Sequence, residues 1–146
     1  MAEAKSQRLR IFGNKPFMRF ARKFGSSYES LWSSLQEDPD ADLGGGVFKY
    51  RLAREGEGTS GGGRAIVAMK AGQRIVMMYG FEKKDLDNIK NDELKAFRMA
   101  AKNYLALTDV EIADLLKRKM LEEIKAPASR DRNPRTTTKA ATYTNS

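Results

Sequence analysis

The chain has 146 residues, of which 40% are hydrophobic and 32% charged, and it carries a formal net charge of +8. These values suit a single folded domain and exclude wholesale disorder. Because the sequence contains neither cysteine nor histidine, disulfide bonds, thiolate chemistry and proton transfer by histidine are excluded. Any catalysis must use carboxylates, lysine, arginine, tyrosine or hydroxyl groups.

Both ends of the chain are polar and basic. Residues 1–10 lack the apolar segment of a signal peptide, and no apolar run approaches the roughly 18 residues of a membrane helix. We therefore expect a cytoplasmic protein with no membrane partner. Residues 1–14 are predicted to form a basic arm, and residues 125–146, rich in Pro, Ser, Thr, Asn and Arg, a disordered basic tail.

Two short helices are predicted after the arm. Pro16 suits the first turn of a helix and Gly25 its end. Apolar residues recur on one face of this segment at spacings of three and four: Phe17, Phe20, Ala21 and Phe24. Ser26 and Glu29 have the spacing of a capping box, which begins a second helix that ends before Pro39. These segments are expected to form a helix hairpin.

Strand patterns occupy the middle of the chain. Residues 47–53 alternate, which predicts a half-buried strand. One face of this strand carries Phe48, Tyr50 and Leu52, and the other carries Val47, Lys49 and Arg51. Residues 65–70 and 74–79 are also rich in strand formers, and the tripeptide Ala-Gly-Gln between them predicts a β-hairpin.

Helical patterns return after the hairpin. Residues 92–107 have the apolar stripe of an amphipathic helix, and Thr108 with Glu111 forms the capping box of another. Residues 121–124 suit a short edge strand. This order predicts an α+β fold, in which the N-terminal helix hairpin and the C-terminal helices pack on a small antiparallel sheet. One domain is expected to span residues 15–124.

Two features have ordinary structural interpretations. The glycine-rich segment 56–63 lacks the spacing of a nucleotide-binding fingerprint and no helix follows it, so a flexible loop is expected. Acidic residues cluster at Asp38, Asp40 and Asp42, and again at Asp85 and Asp87, without the spacing of a calcium loop. We expect solvated turns and helix caps there, with neither a metal nor a cofactor.

The basic residues of the predicted sheet are the strongest functional signal. Residues 47–84 contain eight Lys or Arg and three Glu. Lys49 and Arg51 share one strand face, Arg64 opens the next strand, and Lys83 with Lys84 follows the third. The cluster is either a solvated sheet face or a phosphate site, since converging cations stabilise the charge of phosphoryl transfer. A lysine there could accept the proton of an attacking ribose 2′-hydroxyl, a nucleophile that DNA lacks.

Four short motifs follow one another along the chain. They are the strand K-x-R-x-A at residues 49–53, the loop G-x-G-x-S-G-G-x-R ending at Arg64, the strand end Y-G-F-x-K at residues 79–83, and D-N-I at residues 87–89. In this order they resemble the RelE-like toxin family of bacterial type II toxin–antitoxin systems, in its HigB-type branch. The stretch PFMRFARK at residues 16–23 is also similar. The resemblance covers about residues 15–124.

The resemblance implies a RelE-like, microbial-ribonuclease-like fold and a metal-independent endoribonuclease that cleaves messenger RNA, typically on the ribosome. It also implies a cognate antitoxin, of helix-turn-helix type. By motif position, the implied catalytic residues are Lys49, Arg51, Arg64 and Lys83. Arg51 and Arg64 are expected to bind the phosphate, and Lys49 or Lys83 to act as acid or base. The further RNA-binding residues expected are Arg54, Tyr79, Lys84 and Asn88.

Two departures from the family pattern leave alternatives open. The residue before Arg64 is often aromatic in the family and is Gly63 here, which predicts the loss of a stacking platform. Glu57 and Thr59 make the loop less basic than expected. A non-catalytic protein of the same fold that binds nucleic acid or protein, and a toxin that inhibits DNA gyrase, are the alternatives to a nuclease.

Overall fold

The computed structural model describes residues 8–85 and 88–127. The predicted arm and tail lie outside the described residues at positions 1–7 and 128–146. In chain order the elements are β1 (Arg10–Asn14), α1 (Lys15–Phe24), α2 (Tyr28–Ser34), β2 (Ala41–Gly44), β3 (Val47–Leu52), a 3₁₀ turn (Thr59–Gly61), β4 (Gly63–Lys70), β5 (Arg74–Glu82), α3 (Asn91–Ala106), α4 (Asp109–Lys117) and β6 (Leu121–Glu123). The predicted α+β class is confirmed.

The strands form one six-stranded sheet in the order β2-β3-β4-β5-β1-β6. Strands β2 to β5 make an antiparallel meander, whereas β1 lies parallel to β5 and antiparallel to β6. The sheet is therefore mixed, and the expectation of an antiparallel sheet is wrong in this respect. The hairpin between β4 and β5 is confirmed, with Gly72 at a φ of 73° in its turn.

The expectation of a loose arm is wrong for residues 10–14, which form β1. Ile11 and Phe12 are each 1% exposed, and their side chains lie in the hydrophobic clusters on opposite faces of the sheet. Burial of two large side chains on the two faces stabilises a strand at a position where the flanking charges suggest solvent.

Helices cover both faces of the sheet. The face that carries Phe48, Tyr50 and Leu52 packs against α1 and α2, as the alternation predicted for one side of β3. The other face, which includes Val47, packs against α3 and α4. Lys49 and Arg51 therefore lie on the same face of the sheet as α3, outside the apolar area of that face that the helix covers.

Local signals explain the helix ends. The side chain of Asn14 accepts a hydrogen bond from the Phe17 N–H at 2.9 Å, and Gly25 ends α1 with a φ of 97°. The capping box of α2 is formed by Ser27 and Ser30, so the expected pair of Ser26 and Glu29 is wrong by one residue. Ser26 instead donates its hydroxyl to the carbonyl oxygen of residue 53.

The edge strand β6 is held by ion pairs on both of its acidic residues. Glu123 accepts two hydrogen bonds from Arg10, at 3.0 and 2.9 Å. Glu122 accepts hydrogen bonds from Arg22 and from the hydroxyl of Tyr28. These contacts attach the C-terminal strand to β1 and to both N-terminal helices.

The Arg10–Glu123 pair predicts a pH-dependent stability. The hydrogen bonds from Arg10, which outweigh the effect of burial, hold the pKa of Glu123 below its ordinary value of 4.5. A carboxyl whose pKa is lowered by folding stabilises the protein above the unfolded-state pKa, and this contribution is lost as the pH falls through the folded-state pKa. We expect Glu123→Gln to lower the free energy of unfolding in urea at pH 7 and to lower it less at pH 3. An equal effect at both pH values would contradict the ion pair.

Candidate functional site

The basic residues of β3 and β4 meet on one face of the sheet. In the antiparallel register, Arg51 lies directly opposite Arg64. Lys49 is two residues before Arg51 on the same strand and therefore points to the same side. The register thus brings three of the four implied catalytic residues together.

A carboxylate lies between these three cations. Asp40 Oδ2 is 3.6 Å from Lys49 Nζ and 3.7 Å from Arg64 Nε, and Asp40 Oδ1 is 3.4 Å from Arg51 Nε. The backbone N–H of Asp40 donates to the carbonyl oxygen of Lys49 at 2.7 Å, which fixes the start of β2 against β3. We call Asp40, Lys49, Arg51 and Arg64 the cationic cluster. Its formal charge is positive despite the carboxylate.

Arg64 is the most buried cation of the cluster. Its side chain is 10% exposed, compared with 27% for Lys49 and 56% for Arg51. Its Nη1 donates to the carbonyl oxygen of Gly63 at 2.9 Å. A buried guanidinium needs such partners, and they restrict its orientation. Arg64 therefore has a fixed position, with the more exposed Arg51 across the strand pair.

An aromatic group lies beside the cluster. Phe81 is opposite Arg64 in the register of β4 and β5, and Tyr79 is opposite Ile66. Since the register shifts after Ile66, so that Val67 pairs with Met77, β5 has an extra residue at this point. Tyr79 lies on the α3 side as a result, with its ring 6.1 Å from Phe81 and 5.7 Å from the ring of Phe97.

The lysines after β5 make no ion pair with Asp40 among the described residues. Lys83 and Lys84 are exposed in the turn that follows β5, and the backbone N–H of Lys83 donates to the carbonyl oxygen of Gly62. Neither makes an ion pair within residues 8–85 and 88–127. Asn88 is exposed in the segment before α3. The structure therefore does not bring Lys83 into contact with Asp40.

Arg54 belongs to the opposite face. Its guanidinium carbon lies 4.1 Å from the centre of the Phe24 ring, and its Nε donates to the carbonyl oxygen of Phe24 at 2.9 Å. Its Nη2 also lies 4.0 Å from Glu82. These contacts attach the glycine-rich loop to α1. The structure separates Arg54 from the other cations with which the sequence grouped it.

A comparison with protein-family models matches residues 9–124 to the family described as the RelE toxin of the RelE / RelB toxin–antitoxin system. The chain belongs to the RelE toxin family. The match spans β1 through β6, so it includes the strand that the sequence pattern missed. A comparison with curated proteins gives no match. As a RelE toxin, the chain is one member of a toxin–antitoxin pair, and an antitoxin is its partner.

A cleft adjoins the cationic cluster of this RelE toxin. It has a volume of about 570 Å³ and is lined by Arg51, Asp40 and the segment from the end of α2 to β2. Acidic and polar groups dominate this lining, in contrast to the cations on the adjacent sheet face. The two surfaces meet at Asp40.

Asp40 lies in an exposed bend, as the sequence predicts, but the sequence does not predict its contacts with the cations. Its side chain is 24% exposed and lies within 3.7 Å of all three cations of the cationic cluster. The available signal was its position immediately before a short strand that pairs with the cation-bearing β3.

Among the residues that the structure describes, no three potential ligands are grouped to hold a metal ion. Nor is any of the described helices long and apolar enough to cross a bilayer.

Proposed function

We propose that this RelE toxin is a metal-independent endoribonuclease that cleaves messenger RNA on the ribosome and so inhibits translation. The observation that carries the proposal is the cationic cluster, in which two guanidinium groups and one ammonium group lie within 3.7 Å of one carboxylate. In this proposal the toxin acts in the cytoplasm, where ribosomes are found, and its antitoxin partner is of helix-turn-helix type.

The chemistry follows from the kinds of group present. The ribose 2′-hydroxyl attacks the adjacent phosphorus, its proton passes to a base, and the bond from phosphorus to the 5′-oxygen breaks as that oxygen receives a proton. The products are a 2′,3′-cyclic phosphate and a 5′-hydroxyl end. Arg51 and Arg64 bind the phosphate oxygens and stabilise their charge in the transition state. Lys49 or Lys83 transfers the protons, which requires Lys83 to approach from its turn.

The surroundings of the cluster suit a polynucleotide. Tyr79 is 41% exposed and presents part of its ring beside the phosphate site, where a base can stack. The cleft next to Arg51 has the volume of a ligand site and offers room for a flanking nucleotide. Lys84 and Asn88 are exposed and contact RNA in this proposal, whereas Arg54 contributes by holding the glycine-rich loop against α1.

The proposal is tested with translating ribosomes and a labelled messenger RNA. We expect cleavage that leaves 5′-hydroxyl and 2′,3′-cyclic phosphate ends, the products of attack by the 2′-hydroxyl. A messenger carrying a single 2′-deoxy nucleotide at the mapped site is the matched control, and it should resist cleavage there because the nucleophile is missing. Intact messenger RNA with the all-ribose substrate would contradict the proposal. Salt-dependent RNA binding without cleavage would indicate the non-catalytic alternative.

A further inference from the structure

The position of Asp40 has a second consequence for the cationic cluster. Its carboxylate faces the Nε atoms of Arg51 and Arg64. Among the described residues, only one terminal nitrogen of these two arginines has a partner, the Arg64 Nη1 that donates to residue 63. Guanidinium groups bind phosphate with those terminal nitrogens. A phosphate and Asp40 can therefore contact the same two arginines at different edges.

The backbone attaches this carboxylate to the strand that carries two of its partners. The Asp40 N–H bonds to the Lys49 carbonyl oxygen, and the next residue, Ala41, pairs with Lys49 in the sheet. The main chain thus holds Asp40 at a constant distance from β3, whatever rotamers the long basic side chains adopt. Without a carboxylate between them, three cations at this spacing repel one another.

We propose that Asp40 is a positioning residue, which keeps Lys49, Arg51 and Arg64 converged in the free toxin and while the scissile phosphate is bound. This inference rests on the proposed nuclease function. It also implies that Asp40 weakens RNA binding, since a carboxylate beside the phosphate site repels RNA. Loss of the charge should therefore tighten RNA binding and slow cleavage. Loss of a residue that only stabilises the fold, or only weakens binding, would not give this combination.

The test compares Asp40→Asn with Asp42→Asn. Asp42 lies two residues away on β2 and makes no ion pair among the described residues, and its hydrogen bond from the N–H of Gly44 can be kept by asparagine. Binding is measured with an RNA that carries a 2′-deoxy nucleotide at the cleavage site, and the single-turnover rate with the all-ribose RNA. For Asp40→Asn we expect binding about 5-fold tighter and a rate about 100-fold lower. Asp42→Asn should match the wild type in both.

Three further measurements make the result specific. Thermal unfolding should show that Asp40→Asn is folded. Should it not fold, Asp40→Glu replaces it, which keeps the charge, displaces the carboxylate by one methylene and should lower the rate without tightening binding. The pH dependence of the Asp40→Asn rate should keep the shape of the wild-type profile. Loss of its acidic limb would overturn the proposal, because Asp40 would then be a proton carrier.

Other outcomes separate this inference from the proposed function. If the wild type cleaves and Asp40→Asn cleaves at the same rate or faster, the positioning role is wrong and the nuclease function stands. If Asp40→Asn both binds and cleaves more weakly while folded, the carboxylate is needed to form the binding site, which also overturns the opposed effects proposed here. If the wild type does not cleave, the proposed function itself has failed, and the positioning role fails with it.

Discussion

Replacement of Arg64 with alanine is expected to lower the rate of RNA cleavage by about 100- to 1000-fold, the range found when a fixed donor to a transition-state oxyanion is removed. Arg64 is the least exposed cation of the cluster and is held by Asp40 and by a backbone carbonyl. A pre-oriented charge of this kind stabilises the transition state without reorganisation. The rate is measured under single-turnover conditions on the mapped messenger RNA site.

Two variants control for charge and for shape. Arg19→Ala removes the same charge from the exposed side of α1, where Arg19 makes no ion pair among the described residues, and should leave the rate unchanged. Arg64→Lys keeps a cation but lacks the planar fork, so it should fall between the wild type and Arg64→Ala. Asp40 retains two cationic partners in Arg64→Ala, and we expect the variant to fold. A folded Arg64→Ala with wild-type activity would show that Arg64 does not stabilise the reaction.

The convergence of Lys49, Arg51 and Arg64 was predictable because strand geometry determines it. The alternation of residues 47–53 placed Lys49 and Arg51 on one side of β3, and this face assignment is confirmed. Arg64 was predicted at the start of the next strand, and antiparallel pairing sets it opposite Arg51. Period-two alternation and short connections are local properties, which a sequence displays directly.

The features that the sequence did not reveal depend on distant contacts. Strand β1 forms because Ile11 and Phe12 are buried by elements far along the chain, and its parallel pairing with β5 joins residues more than sixty positions apart. Asp40 was indistinguishable from neighbouring acids until the pairing of β2 with β3 placed it among cations. Lys83 is grouped with the cluster because it follows a strand. Its backbone N–H bonds to Gly62 next to the start of β4, it makes no ion pair with Asp40 among the described residues, and its role stays a prediction.

Gly63 shows how a family pattern can mislead when the direction of a side chain is unknown. An aromatic residue at this position was expected to provide a stacking platform beside Arg64. A Cβ at Gly63 would instead point to the α1 side, with Phe24 Cε2 at 2.6 Å and Phe24 Cζ nearer still. Neighbouring residues in a strand face opposite sides of the sheet. Glycine at this position therefore permits the close packing of α1 and does not remove a base contact next to Arg64.

Gly80 has the same relation to α1, and Gly80→Ala is expected to lower the free energy of unfolding by about 1–3 kcal/mol, the usual effect of overpacking a core. A Cβ there would meet the Phe20 ring at Cγ and Cε2, both 2.8 Å away, and at Cδ2, which is closer. Because Cγ lies on the axis of the Cβ–Cγ bond, rotation of the ring about that bond cannot relieve the contact with Cγ. Urea unfolding at pH 7 measures the loss.

A matched substitution and a double mutant distinguish steric conflict from the intrinsic cost of alanine. Gly58→Ala introduces the same methyl group where no atom lies within 4 Å and should be nearly neutral. Phe20→Ala removes the ring that Gly80→Ala would strike. The two substitutions should therefore be coupled, with the double mutant more stable than additivity predicts by about 1 kcal/mol or more. Strict additivity, or a Gly80→Ala protein as stable as the wild type, would mean that α1 can move away from β5. The close contact with α1 would then not be what requires glycine at this position in β5.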